Sequence, residues 1–178
     1  MRAFALDNQP FLTRCAVWLR RCSPKLLTLL ILLFSIAPTY IPGYSSVRPA
    51  WVLVPIFYWA LYRPYSFSVV SAFLTGLALD LLESTPLGVN TLTFTVLYIV
   101  TETQRRFLIG KTFSLVWAGF AILAFGAYFL KWFFVSVCLA VFTPIGSAFV
   151  SCLLLVLAYP AIVWPCAKLH IYLLDKEK

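Results

Sequence analysis

Gly76-Leu77-Ala78-Leu79-Asp80-Leu81-Leu82 places one carboxylate inside an otherwise apolar segment. The surrounding residues 65–83 are long enough to predict a helix that crosses much of a ~30 Å hydrocarbon core. An acid in such a helix is costly unless it faces protein or water, so it indicates a specific role. Gly76 and Asp80 are four residues apart and share one helical face, where the glycine allows a neighbouring helix to approach closely.

The composition extends this interpretation to the whole chain of 178 residues, which is 62% hydrophobic and only 11% charged. Soluble domains carry about 25% charged residues. The sequence therefore predicts an all-α, polytopic membrane helical bundle in a single integral-membrane domain, 1–178, with about six transmembrane helices. The predicted spans are 26–41, 50–62, 65–82, 87–101, 113–131 and 145–165. A basic segment, 1–24, precedes them and a polar tail, 168–178, follows; residues 132–142 either extend the fifth span or lie in the membrane interface.

The distribution of basic residues predicts the orientation. Twelve of the fourteen Lys and Arg residues fall on one side of a six-span arrangement, and only Arg48 and the nearby Lys131 fall on the other. Because basic loops stay in the cytoplasm, both termini are predicted to be cytoplasmic. Arg105 and Arg106 are interpreted as part of this signal. The net charge of +8 thus reflects membrane orientation, and we expect no nucleic-acid partner.

The residue types that usually carry enzyme chemistry are sparse and scattered. The five cysteines form no Cys-x-x-Cys pair and are interpreted as packing residues. The only histidine, His170, is predicted to be exposed or interfacial in the tail. Asp80 and Glu83 share a helical face, but both lie toward the outer end of their span, so a catalytic pair is the weaker interpretation. We predict no catalytic, cofactor-binding or metal site, and no cofactor.

Asp80 lies about fifteen residues into its predicted span, ~22 Å along it and past the midplane. Three kinds of partner are open to it: a neighbouring hydroxyl, the amides that begin span four, or a basic group such as Arg48. An Arg48–Glu83 pair is equally open. Ser84 or Thr85 is predicted to cap the fourth helix, with Pro86 in its first turn.

The polar residues on the other spans have simpler interpretations. The hydroxyls of span four, at Thr91, Thr93 and Thr95, are expected to bond back to their own helix. Trp51 and Tyr62 suit the interface belts at the two ends of span two. Tyr58 and Trp59, between them, suit interior packing.

Five motifs in order resemble one known family. They are Arg48-Pro49-Ala50-Trp51, Tyr58-Trp59-Ala60-Leu61, Pro64, Gly76-Leu77-Ala78-Leu79-Asp80-Leu81-Leu82 and Pro86-Leu87-Gly88-Val89-Asn90. Their order and spacing are similar to those of the rod-shape-determining protein MreD family over residues 40–106. Phe67 stands where that pattern has a glycine, and the part after Lys111 matches in hydropathy alone.

The resemblance implies a multi-pass protein of the bacterial inner (cytoplasmic) membrane. Such proteins are non-enzymatic scaffold subunits of the cell-elongation machinery, which organises lateral peptidoglycan synthesis. The implied partners are an MreC-like single-span periplasmic protein, a RodA-type glycosyltransferase, penicillin-binding protein 2, MreB actin-like filaments and the lipid bilayer. The candidate structural or partner-binding positions are Arg48, Pro49, Trp51, Gly76, Asp80, Glu83, Gly88 and Asn90. The alternative function is a small membrane carrier or ligand-binding transporter subunit, since the family has been compared with the substrate-binding subunits of vitamin transporters.

Overall fold

The computed structural model describes residues 11–36, 49–83, 85–139 and 145–175, and within them every regular element is an α-helix. Side chains are described for 22–36, 49–83, 85–138 and 146–172. The helices are α1 (Phe11–Ile36), α2 (Leu53–Tyr62), α3 (Val69–Glu83), α4 (Val89–Leu108), α5 (Phe113–Leu139) and α6 (Ile145–Asp175). The all-α class and the six helices predicted from the sequence are thus confirmed for the described residues.

Several helices run beyond the predicted spans. The described parts of the basic segment and of the first span, residues 11–36, form one helix that continues through Pro24. The polar residues 102–106 belong to α4, and the tail from Lys168 to Asp175 belongs to α6. Residues 132–139 extend α5, one of the two alternatives left open for them. The sequence located changes in polarity, and a helix can cross such a change without ending.

Three helices begin later than the predicted spans, and one of them is α4, which starts at Val89 instead of residue 87. The chain forms a turn after Arg63, and α3 starts only at Val69. The Tyr98 hydroxyl donates a 2.7 Å hydrogen bond to the Phe67 carbonyl, which ties this turn to α4. Residues 49–50 belong to no regular element and Trp51 and Val52 form a turn, so α2 begins at Leu53.

Helix length and polarity distinguish α5 and α6 from the shorter helices α2 and α3. Within α5 and α6, residues 113–138 and 146–172 are long and apolar enough to cross a membrane. By contrast α2 has 10 residues and α3 has 15. At 1.5 Å per residue these are roughly 15 Å and roughly 22 Å long, which is less than a full hydrocarbon core.

The short helix α2 forms the centre of the bundle. Nine of its ten residues are buried, and it packs against α1, α4 and α6. The Phe57 ring on α2 lies 5.2 Å from that of Phe120 on α5, which stacks at 4.5 Å on Tyr159 of α6. The other helices pack around this centre in the pairs α3 with α4, α4 with α5 and α5 with α6.

The surface of the described residues is unusually apolar, and a few polar side chains are buried within an otherwise apolar core. Large apolar side chains such as Phe34, Ile122 and Leu157 are exposed. The buried polar or charged side chains of the described residues are Thr28, Asp80, Asn90, Thr91, Thr93, Thr101 and Ser151. An apolar exterior suits a lipid environment, where polar groups must find partners within the protein, as these buried ones do.

Candidate assembly site at the Asp80 carboxylate

The Asp80 carboxylate accepts five hydrogen bonds. Oδ1 accepts from the Thr85 hydroxyl and the Asn90 amide nitrogen of the backbone, both at 3.0 Å. Oδ2 accepts from the backbone N–H groups of Gly88 and Thr91, at 3.0 and 3.1 Å, and from the Thr91 hydroxyl at 2.7 Å. The side chain is 1% exposed. Both oxygens are therefore occupied by donors from the segment 85–91.

This arrangement is an N-terminal helix cap supplied by a different helix. The first turn of any helix leaves backbone N–H groups without intrahelical partners, and its partial positive charge attracts an anion. Gly88 at the N-cap of α4 has no side chain to satisfy them and adopts a φ of 105°, which favours glycine. Asp80 on α3 accepts hydrogen bonds from these N–H groups instead.

Two sequence predictions about this cap have different outcomes. The amides at the start of the fourth helix were one of the three partners open to Asp80, and they do bond to it. The prediction that Thr85 caps the fourth helix is wrong, because α4 begins at Val89 and the Thr85 hydroxyl donates to Asp80 instead. Pro86 accordingly precedes the helix. Ser84 and Arg48 lie outside the described residues.

Gly76 permits the close crossing of α3 and α4 that this cap requires. A Cβ atom at Gly76 would lie 2.5 Å from the Thr91 Cα and 2.8 Å from the Thr91 backbone nitrogen. Neither backbone atom can move without moving α4. The glycine and the acid four residues later thus act on the same point of α4, as their common helical face predicted.

The hydroxyls of α4 divide between two uses. Thr93 donates to the Val89 carbonyl and Thr95 to the Thr91 carbonyl, each at 2.7 Å, as expected for bonding within the helix. Thr91 departs from that expectation, since its hydroxyl donates to Asp80. The Asn90 side-chain amide donates to Thr85, which extends the network by one residue.

Glu83 has a basic partner from α5. Its carboxylate lies 3.8 Å from the Lys131 ammonium, and both side chains are largely buried. The sequence predicted Lys131 near the outer side and left Arg48 open as a partner of Glu83. The observed pair joins the end of α3 to α5 at the end of the bundle that also holds the Asp80 cap.

Contacts at the two ends of α2 were missed by sequence reasoning. Before α2, the Ala50 N–H donates to the Tyr128 hydroxyl at 2.8 Å, between the motif residues Pro49 and Trp51. Near its end, Arg105 Nε donates to the Leu61 carbonyl at 2.7 Å. These pairs are 78 and 44 residues apart, and no local pattern signals them.

His170 is packed against α2. Its Nδ1 lies 3.1 Å from the Tyr58 hydroxyl, and its ring lies beside that of Tyr62 at 5.7 Å. Trp59, also in contact, is fully buried, as predicted for interior packing. The sequence predicted an exposed or interfacial histidine, because nothing near it in the chain indicated that α6 continues and returns it to α2.

The chemistry available at this site is binding and positioning. A carboxylate with five donors is held as an acceptor, with both oxygens turned toward α4. Within the described residues no three His, Cys, Asp or Glu side chains form a group that could hold a metal ion. What the arrangement does is fix α3 to α4.

The fold and this site define a helical protein with a membrane-type surface and an acid-capped pair of helices at one end. The sequence model of the family described as rod shape-determining protein MreD matches residues 17–172. The chain belongs to that family, which confirms the resemblance seen in its motifs.

One curated relative is the rod shape-determining protein MreD of Haemophilus influenzae (strain ATCC 51907 / DSM 11121 / KW20 / Rd). The two are 32% identical over 84 residues, which is 47% of this chain and 50% of the relative. The chain thus spans about half the length of the curated relative it matches. No solved structure matches the chain.

Proposed function

We propose that this chain is a non-enzymatic scaffold subunit of the bacterial cell-elongation machinery, located in the inner membrane. The observation that carries the proposal is the use of Asp80. Asp80 is buried, and both of its oxygens bond to the start of α4. The acid therefore fixes α3 to α4 and keeps the surface that these helices form rigid. Membership of a family of rod shape-determining proteins supports the same role.

The proposed arrangement has six membrane-associated helices with both termini in the cytoplasm. The two helices long enough to cross a membrane, α5 and α6, support it, as does the split of basic residues between loops. The short helix α2 is enclosed by longer ones, which replaces lipid contact with protein contact at its ends.

The proposed mechanism is docking of partner membrane helices on the exposed apolar faces. On α3, Val70, Phe73, Leu74, Leu81 and Leu82 are all exposed, while Gly76 and Asp80 on the opposite side are buried. By fixing α3 to α4, Asp80 holds the exposed face of α3 in one orientation, where a partner helix can contact it. Candidate partners are an MreC-like single-span protein, a RodA-type glycosyltransferase, penicillin-binding protein 2 and MreB filaments.

Depletion in the bacterium that encodes this chain tests the proposal. Cells should lose rod shape and become round under the microscope, and wild-type chain supplied from a plasmid should restore the rods. Asp80→Ala should fail to restore them and should also reduce the amount of partner protein that co-purifies. Normal shape combined with loss of uptake of one nutrient would favour the carrier alternative and refute the scaffold.

A further inference from the structure

A carbon-lined groove separates α1 from α6 on the outside of the bundle. Its volume is about 360 Å³. Leu30 and Phe34 of α1 form one wall, Ala158, Ala161 and Pro165 of α6 form the other, and Trp51 also lines it. The small side chains of the two alanines leave the space open.

The same face of α6 continues into a second hollow. Lys168 and Leu169 follow Pro165 by three and four residues, so they share its helical face, and they line this hollow together with Tyr172. Lys168 lies roughly 15 Å along the helix from Ala158, at 1.5 Å per residue. Its ammonium lies 3.9 Å from the centre of the Trp164 ring. A cation therefore follows the apolar groove on the same face of α6, nearer the end of that helix.

We propose that this groove binds one hydrocarbon chain of an anionic glycerophospholipid, with the lipid phosphate held at Lys168. Apolar walls that end at a cation complement an apolar chain that ends in an anion. Cations beside a membrane-embedded groove favour anionic head groups. The inference rests on the membrane location of the chain and is independent of a role in cell shape.

The lining favours a lipid chain over a partner helix as the occupant. The residues that line the groove are all apolar or aromatic. The charged side chain that follows on the same face of α6 is the cation Lys168, which complements a lipid phosphate. A single extended hydrocarbon chain is narrow enough to enter between α1 and α6.

The head-group half of the proposal is tested on the purified full-length protein in detergent. The protein is incubated with equal amounts of phosphatidylglycerol and phosphatidylcholine that carry identical acyl chains, and retained lipid is measured by native mass spectrometry. We expect phosphatidylglycerol to be preferred. Lys168→Gln should reduce that preference about fivefold, the effect of one cation near the surface.

Lys111→Gln is the matched control, because Lys111 also lies over an aromatic ring, 5.6 Å from the centre of Phe107, but lines neither hollow. It should leave the preference unchanged. An equal loss of the phosphatidylglycerol preference in both variants would mean that general surface charge causes the preference, and would overturn the proposal.

The chain-binding half is tested by filling the groove. Ala161→Trp should reduce retention of both lipids alike, and Leu30→Trp should do so from the opposite wall. Leu157→Trp on the exposed side of α6 is the matched control and should have no effect. Unchanged retention in both groove variants would refute the site, as would a photoreactive residue at Ala161 that cross-links in cells to a protein helix instead of lipid.

Discussion

Asp80 offers two oxygens to five donors, and this makes the substitution by asparagine informative. Each oxygen accepts from at least one backbone N–H, so the amide group of Asp80→Asn must turn its own N–H₂ toward a donor in either orientation. Leaving buried donors unsatisfied costs about 1–3 kcal/mol per group. We expect Asp80→Asn to lower the free energy of unfolding by about that amount, measured by denaturant titration in mixed micelles.

Asp80→Ala should cost more, roughly 3 kcal/mol or above, because it removes all the charge-assisted hydrogen bonds. Thr91→Val removes one donor and should fall below both. If asparagine were as stable as aspartate, the carboxylate would not be the cap of α4.

Gly76 and Gly126 provide a matched pair of glycines in helix interiors. Alanine at Gly76 would place Cβ against the backbone of Thr91, whereas at Gly126 nothing lies within 4 Å of the new atom. Gly76→Ala should cost at least about 1–3 kcal/mol, as overpacking does. Gly126→Ala should be neutral or stabilise by up to ~1 kcal/mol through helix propensity.

Thermal unfolding of both variants in the same detergent would measure this difference. Equal behaviour of the two variants would mean that α3 and α4 do not cross as closely as 2.5 Å implies.

At the scale of elements, α2 shows how a short helix is kept inside a bundle. A helix of 10 residues has as many unpaired backbone groups at its ends as a long one, and the burial of α2 keeps water away from them. Long side chains from neighbouring helices bond to the backbone just before α2 and in its last turn. Tyr128 of α5 accepts from Ala50 before the helix, and Arg105 of α4 donates to Leu61 near its last turn.

Variants of Arg105 and Arg106 distinguish the hydrogen bond to α2 from the effect of positive charge on membrane orientation. Each variant to alanine removes one positive charge from the last turn of α4, but of the two only Arg105 bonds to α2, and Arg106 is exposed. We expect Arg105→Ala to cost about 1.5–3 kcal/mol, the value of a charge-assisted hydrogen bond. Arg106→Ala should lie within about 0.5 kcal/mol of wild type.

The two variants should be compared by yield of folded protein and by unfolding in detergent. Equal losses would assign both arginines to membrane orientation alone. Arg105→Lys should recover only part of the stability, because a lysine cannot present Nε in the same planar geometry.

At the scale of the whole molecule, the split of basic residues predicts that the two termini lie on the same side. Green fluorescent protein fused after Lys178 or after Thr112 should fluoresce, and alkaline phosphatase at those points should be inactive, because both positions follow basic segments. Fusions after Ser45 should behave in the opposite way. Active phosphatase after Lys178 would contradict an even number of crossings.

Much of the architecture could be predicted because hydropathy and proline report on elements directly. Six apolar runs gave six helices, and Arg63-Pro64 correctly ended α2. Helix bounds were less accessible. Residues 102–106 and the tail after Lys168 are polar, and polarity marks a membrane boundary without marking the end of a helix.

The candidate site was predictable in its members and only partly in its contacts. Gly76 and Asp80 stood out because a small residue and an acid on one face are rare in an apolar helix. The start of the fourth helix was predictable as a partner of Asp80, because Gly88 and Thr91 lie close to it in sequence. The pairs Glu83–Lys131 and Tyr58–His170 were not predictable, because they join distant segments. Such pairs depend on how helices are arranged, which hydropathy does not encode.

The acid that caps α4 has a consequence for biogenesis. During synthesis Asp80 leaves the ribosome before the backbone N–H groups of 88–91 that neutralise it. Until that segment follows, α3 carries an uncompensated carboxylate and enters lipid at a high cost. The third and fourth helices are therefore expected to leave the insertion machinery as one hairpin. A nascent chain whose emerged part ends before Val89 should remain beside the translocon, while one whose emerged part extends past Leu108 should not.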